Sequence, residues 1–523
     1  MAIVCEKFKT YYIWKKYYKI SVKFCEKNFG TSFFRLYLNK GDDMQRRKKL
    51  KLKKAVLFKS FAFLVGLFSL IVFIQFLRLG LLPWKYLILI FVILVAINLG
   101  LYFLLASKNY RKRMVGTFFS ICFVVLYFVG INYQNATLSF LENVTSLEIQ
   151  TETYQVYVKN TADAQNLSDL NNNVFGYVPN QSGMEKAIHE IEKSSKPKMT
   201  EVDNISSLVE GLLNEECDAI VLEKAEAMLY QEMNTDFKES TRLLTSIDIQ
   251  VEKESIMKDV SVTKEPFSIY VTGVDTYDGI NSIARSDVNM VVTVNPNTHQ
   301  ILLVSIPRDY YVQISGTTGL KDKLTHAGLK GVETSIATIE SLLEMDIHYY
   351  AKFNFTALIE LVDAVGGITV DSPFAFTADY EEEEHIYYEF QKGLNELNGH
   401  ESLAYVRERY SLREGDVARA RHQQQVIEAL IHKVSSTTIL TKYADILKSM
   451  EGNFVTNMSM KNISSFIQKQ LDEMPEWSVE TMVLSGSDSY ELTAAFPDLY
   501  SAVMIPDDSV NEAIVKINEI TGT

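Results

Sequence analysis

The segment 405–425, YVRERYSLREGDVARARHQQQ, places five arginines close together in a chain that is acidic overall, with 52 Lys and Arg against 65 Asp and Glu. Arginine's planar guanidinium donates two parallel hydrogen bonds and never loses its charge, so converging arginines suit a phosphate or a pyrophosphate. Spacing decides which of them can converge. Read as a strand, LAYVRER puts Arg407 and Arg409 on one face. Read as a helix from about Asp416 to Val434, the next stretch puts Asp416, Arg419 and Gln423 on another. Arg413 and Arg421 fall outside both sets and are expected to be ordinary surface charges. The same residues would equally make a surface network of ion pairs, and spacing alone leaves both readings open.

Further charges fall at the ends of strand-like runs. Asp275 ends FSIYVTGVD, Asp287 follows ARS at the start of SDVNMVVTVNP, and Arg308 ends ILLVSIPRD. In layered α/β folds ligands collect beyond the ends of strands, which makes these three side chains expected neighbours. Two carboxylates would repel an anionic ligand unless a cation stood between them, and Mg²⁺ is held by one or two carboxylates, waters and phosphate oxygens. The expected chemistry is therefore that of a metal–diphosphate site. The chain has no phosphate-binding P-loop, no GxSxG, no HExxH and no dinucleotide glycine pattern. None of its eight histidines pairs with another at metal-ligand spacing, and His326 in DKLTHAG is expected to make a structural hydrogen bond.

The elements that must position these groups lie after a membrane anchor. Residues 1–114 carry 23 Lys and Arg against four acids, and the remainder carries 29 against 61. Three apolar runs, 60–77, 82–106 and 115–133, are each long enough for a bilayer core of roughly 30 Å. Lysines and arginines crowd before the first run and between the second and third, so the N-terminus is expected inside and everything after about residue 134 outside. Met44, followed by QRRKKLKLKK, is the expected initiator. Of four cysteines only Cys217 falls in the exported part, which excludes a disulfide framework there.

The chain divides into a basic cytoplasmic segment (1–59), three membrane helices (60–133), a small α/β accessory domain (134–255), a polar linker (254–266) and an α/β domain (262–520). In the accessory domain strand-like YQVYVKN, VFGYVPN and CDAIVLEK alternate with helical SGMEKAIHEIEKS and SLVEGLLNEE.

The blocks VTGVDTYDG, ARSDVNM, ILLVSIPRDYYV, DKLTHAG, FTALIELVDAVGGITVD, LNGHESLAYVRERY and GDVARARHQQQ, in this order, resemble the LytR-CpsA-Psr family of Gram-positive envelope proteins, particularly its capsule-type members. The resemblance covers roughly residues 262–520. It implies a mainly antiparallel sheet flanked by helices, with an apolar channel for a lipid tail. It also implies an enzyme that moves a glycopolymer from a polyprenyl-(pyro)phosphate carrier onto peptidoglycan. Carried over by motif, Asp275 and Asp287 would hold Mg²⁺. Arg308, Arg407, Arg409, Arg419 and Gln423 would bind the pyrophosphate, and Asp416 would orient the network or assist the metal. Other capsule-assembly proteins are implied partners.

Two alternatives use the same outer domain differently. One is a membrane regulator or transcriptional attenuator, although the basic N-terminus already fits the positive-inside pattern and no helix-turn-helix precedes residue 60, which argues against a nucleic-acid partner. The other is hydrolysis of polyprenyl pyrophosphate at the same site, with water in place of the acceptor.

Overall fold

The computed structural model describes residues 56–522, apart from 146–148, 180–182, 253–257, 275–279, 281–284, 382–385, 410, 413–414, 436–445, 447–448 and 498. Asp275, Arg413, Met44 and part of the 254–266 linker lie outside the described residues.

Three helices, Val56–Leu79, Trp84–Ala106 and Tyr110–Phe140, are long and apolar enough to cross a membrane. The third continues to Thr145. Side chains such as Phe63, Ile88, Phe103 and Leu126 are exposed, as expected where lipid rather than protein covers them.

A first α/β layer follows. Strands β1 (Ile149–Lys159), β2 (Val174–Tyr177), β3 (Lys198–Glu201), β4 (Ala219–Glu223) and β5 (Thr241–Glu252) form one sheet in the order β3-β2-β4-β1-β5. Helix Met184–Ser194 buries Met184, Ala187 and Ile191 on it, and helix Ile205–Leu213, capped by Asn204, buries Leu208, Val209 and Leu212.

The main sheet is mixed, and its centre is antiparallel. Strands β6 (Phe267–Val274), β7 (Ser286–Asn295) and β8 (Gln300–Ser305) pair in antiparallel sequence. A short ladder, β9 (Tyr311–Val312) with β10 (Asp322–Lys323), leaves its end. Strand β11 (Tyr349–Asn354) joins β6 in parallel. The hairpin-like pairs β12 (Ile368–Ser372) with β15 (Gly393–Leu397) and β13 (Phe376–Glu381) with β14 (Ile386–Phe390) stand apart from the sheet. Then β16 (Phe454–Thr456) closes one edge beside β11, and β17 (Ser478–Val483) closes the other beside β8, while β18 (Gly486–Leu492) pairs with β19 (Tyr500–Pro506).

Alternation along the strands builds two faces. Tyr270, Val291, Leu302 and Val304 pack under helices Val332–Leu343 and Ser509–Thr521. Phe267, Met290, Val292 and Leu303 pack with residues of helices Asp416–Ser435 and Met460–Glu473. The fold is thus α/β, with a largely antiparallel sheet between helices. LAYVRER departs from its strand reading: Gly399–Arg407 is a helix, begun by Asn398 in a capping box with Glu401. That cap, together with burial of Ser402, Leu403 and Val406, outweighs the two-residue alternation of the arginines.

Candidate active site

Asp287 is the second residue of β7, and Ser286 before it is fixed from below. The Tyr270 hydroxyl bonds Ser286 Oγ at 2.9 Å and donates to Asn289 Oδ1 at 2.6 Å, and Ser286 Oγ donates to Asn289 Oδ1 at 2.8 Å. This buried network leaves Asp287 facing the end of β8, where Arg308 Nη1 meets its Oδ1 at 2.7 Å.

Helix Asp416–Ser435 brings the second half of the site. Gln424 Nε2 donates to the Leu303 and Met482 carbonyls, which ties the helix to the sheet, while Gln425 accepts from the Tyr405 hydroxyl at 2.7 Å and donates to the Asp371 carbonyl. Held in this way, the helix points Asp416 at three arginines: Arg419 Nη2 lies 3.2 Å from Oδ1, Arg409 Nη1 lies 3.8 Å from Oδ1, and Arg308 Nε lies 4.0 Å from Oδ2. The sequence reading missed Asp309 and Lys323. Asp309 Oδ2 lies 3.6 Å from Arg308 Nε, and its Oδ1 is 3.2 Å from Lys323 Nζ. Asp309 directly follows Arg308 in IPRD, and Lys323 opens KLTHAG, but neither spacing nor period marks them.

The electrostatics follow from this crowding. Burial works against the Arg308 charge, yet Asp287 and Asp309 outweigh it and raise its pKa. Burial lowers that of Arg419 despite Asp416 beside it. Burial would also raise Asp309, but Lys323 and Arg308 overcome it and hold the carboxyl below the ordinary range. Asp416 is raised, by burial first and by its hydrogen bond with Asp309, against the pull of Arg419. Two polar atoms at the centre, Arg308 Nε and Asp416 Oδ1, are buried without a hydrogen-bond partner. Such orphans are rare in folded proteins and mark a place where a further polar group belongs.

Arg407 is not among the ion pairs given above. It is the exposed last residue of its helix, and its guanidinium lies over the Phe355 ring, 4.8 Å from the centroid. Gln423 also leaves the ion pairs: it lines a cavity of about 170 Å³ with Val271, Val288, Phe353, Val426 and Leu430. One face of the same helix therefore runs from Asp416 and Arg419, through Gln423, onto an apolar wall.

Carboxylate oxygens are the donors Mg²⁺ prefers. Asp287 has one oxygen on Arg308 and offers the other, and Asp416 Oδ1, ion-paired with Arg419, makes no hydrogen bond. Among the described residues no three His, Cys, Asp or Glu side chains are grouped to hold a metal by themselves. A cation here would take its other oxygens from water or a bound anion.

Residues 230–503 match the LytR_cpsA_psr family. The chain is 39% identical over 208 residues to the polyisoprenyl-teichoic acid–peptidoglycan teichoic acid transferase TagU of Bacillus subtilis strain 168, a match covering 39% of this chain and 65% of TagU. It is 36% identical over 224 residues to the Biofilm regulatory protein A of Streptococcus mutans serotype c, covering 41% of this chain and 55% of that protein. The chain thus spans just under two thirds of TagU and little more than half of the streptococcal relative. The crystal structure of B. subtilis TagV is 32% identical, with a TM-score of 0.41, and the similarity covers 50% of this chain and 98% of that one.

Proposed function

This chain belongs to the LytR-CpsA-Psr family, and on that premise we propose that it is a membrane-anchored transferase acting outside the membrane. It would move a glycopolymer, capsular polysaccharide in our reading, from a polyprenyl-pyrophosphate carrier to a hydroxyl of peptidoglycan. The relative TagU carries a name of the same reaction type, with teichoic acid as the polymer. The observation that carries the reading is the helix Asp416–Ser435, whose start bears the charges for a diphosphate and whose next turns line an apolar cavity for the prenyl chain.

The acceptor hydroxyl attacks the phosphorus that bears the glycan. A phosphodiester forms, the pyrophosphate P–O bond breaks in line, and polyprenyl phosphate leaves. Arg308, Arg409 and Arg419 neutralise charge on the transferred and leaving phosphates, where preorganised donors contribute most. Asp416, its pKa raised by burial, is a stronger base than an ordinary aspartate and would take the hydroxyl proton. Asp287, with Asp275, would hold Mg²⁺, which supplies further charge neutralisation on the phosphate oxygens. Arg407, exposed over Phe355, is suited to the glycan side of the diphosphate. The anchor keeps the site beside its lipid-borne substrate, which raises the effective concentration.

The test uses the full chain in vesicles with Mg²⁺, a lipid-linked glycan and a peptidoglycan acceptor. We expect transfer that disappears in Asp287→Ala and Arg308→Ala. Undiminished transfer in both variants would overturn the site. Phosphate release without transfer would instead make the protein a pyrophosphatase, and the absence of both would favour a regulatory role.

A further inference from the structure

A second and larger cavity, about 500 Å³, lies between the β1–β5 layer and the main α/β layer, and its lining shares no residue with the arginine cluster. Leu229, Ala225, Leu329 and Phe496 pack together beside it and join the two layers there. Its lining is rich in acceptors. Glu152, Glu223 and Glu226 come from the first layer, and Asp322, His326 and the exposed Lys330, its one ammonium, come from the second.

Two of these groups are deeply buried and retain an unused polar atom. Glu152 is only 3% exposed, and its Oε2 accepts from the Tyr154 hydroxyl at 3.1 Å, while Oε1 has no partner among the described residues. Burial, then the charges of Glu152 and Glu223, raise the Tyr154 pKa, so both carboxylates flank the same phenol. His326 is 8% exposed, and its Nδ1 lies 2.7 Å from Asp322 Oδ1. Asp322 also accepts from the Lys323 and Ala495 backbone N–H groups, so it is an acceptor throughout and Nδ1 carries the hydrogen. In the neutral imidazole Nε2 then bears a lone pair, and it too lacks a partner among the described residues.

The carboxylate of Glu152, with no positively charged partner among the described residues, and the imidazole lone pair of His326 suit a donor that brings positive charge. The cavity is not built for a metal, since no three ligands are grouped among the described residues. Leu229 and Leu329, with Tyr230, give the rest of the lining an apolar and aromatic character suited to a carbon skeleton. We propose that this cavity binds a small amine-bearing molecule, its ammonium taken by Glu152 and His326 Nε2 and its body packed on Leu229 and Leu329. An ammonium on a sugar ring and one at the end of an alkyl chain share this chemistry, and the experiment distinguishes the two sources. The inference is independent of the transferase reading, since it uses no side chain of the arginine cluster.

The experiment titrates the full chain in detergent micelles, by ligand-observed NMR, with glucosamine, Nα-acetyl-lysine methylamide and the neutral N-acetylglucosamine. We expect at least one amine to bind saturably and roughly tenfold more tightly than N-acetylglucosamine, with Glu152→Gln weakening it by about the same factor, the weight of one charged hydrogen bond. The better amine identifies the source. If Glu152→Gln lowers the melting temperature, Glu223→Gln, nearer the surface, decides in its place. Amines that bind no better than N-acetylglucosamine, or binding unchanged in the folded variant, would overturn the proposal.

Discussion

Arg419 and Gln423 stand one turn apart on the same helix face and serve different surroundings: Arg419 is 3.2 Å from Asp416 within the ion-pair cluster, and Gln423 lines the apolar cavity. In the proposed reading, the boundary between a charged headgroup and its hydrocarbon tail falls between them. Replacing Arg419 tests the charged side. Arg419→Ala should lower glycan transfer by about a hundredfold, the scale of one preorganised donor. Arg419→Lys keeps the charge but loses the planar fork, so it should recover only part of that rate. Equal rates for Lys and Arg would show that charge alone matters at this position.

The apolar side is tested by charge. Leu430→Lys puts an ammonium on the cavity wall, where burying an unpaired charge costs several kcal/mol. Polyprenyl phosphate is expected to co-purify with the wild-type protein and to be absent from this variant in mass spectrometry of the purified protein, although the arginine cluster is untouched. Equal lipid content would mean that the cavity of Val271, Phe353 and Leu430 does not hold the tail.

Part of this arrangement was legible in the sequence because it is local. Asp287 and Arg308 sit at ends of strands whose β-branched runs are plain, and the i, i+3, i+7 spacing of Asp416, Arg419 and Gln423 survives in the observed helix. The strand reading of LAYVRER failed where a local signal was passed over: Asn398 and Glu401 form the reciprocal cap that starts a helix. Asp309 was not legible. Its partners Lys323 and Asp416 come from distant segments, and only the packing of the helix on the sheet brings them together. The same holds for both cavities, which are spaces between elements and leave no periodic trace.

His422 offers a test of that packing through pH. Its ring stacks on Phe376 and Tyr405, with centroids 4.9 Å and 4.1 Å away, and Nδ1 donates to the Tyr405 carbonyl at 3.0 Å. Burial lowers its pKa from 6.5 to about 4, against the Tyr405 carbonyl, which works to raise it. The unfolded chain takes up its proton near pH 6.5, whereas the folded chain resists until about pH 4. Unfolding therefore gains protons in that window, and stability falls as the pH drops through it, by up to ~3 kcal/mol. Denaturant unfolding of the full chain in micelles should show this slope between pH 7 and 4.5. His422→Phe, which can keep the stacking, should flatten it, and an unchanged slope would place the responsible group elsewhere.

Gly399 tests the route by which Arg407 is positioned. It is the first residue of the helix that ends at Arg407, and a Cβ there would run into the backbone carbonyl of Ile359, which cannot swing aside as a side-chain tip can. Alanine favours helices, so propensity alone predicts that Gly399→Ala stabilises by up to about 1 kcal/mol. The clash acts in the other direction, and overpacking against backbone typically costs ~1–3 kcal/mol. The clash should win, because the amide of Gly399 also donates to Asp363 Oδ1 at 2.8 Å and pins the helix where it is. The expected result is a lower melting temperature and a reduced transfer rate as the helix shifts away from residues 355–364, carrying Arg407 with it. A variant as stable as the wild type would show that the helix moves without cost, and transfer at the full rate would then mean that the position of Arg407 is not critical.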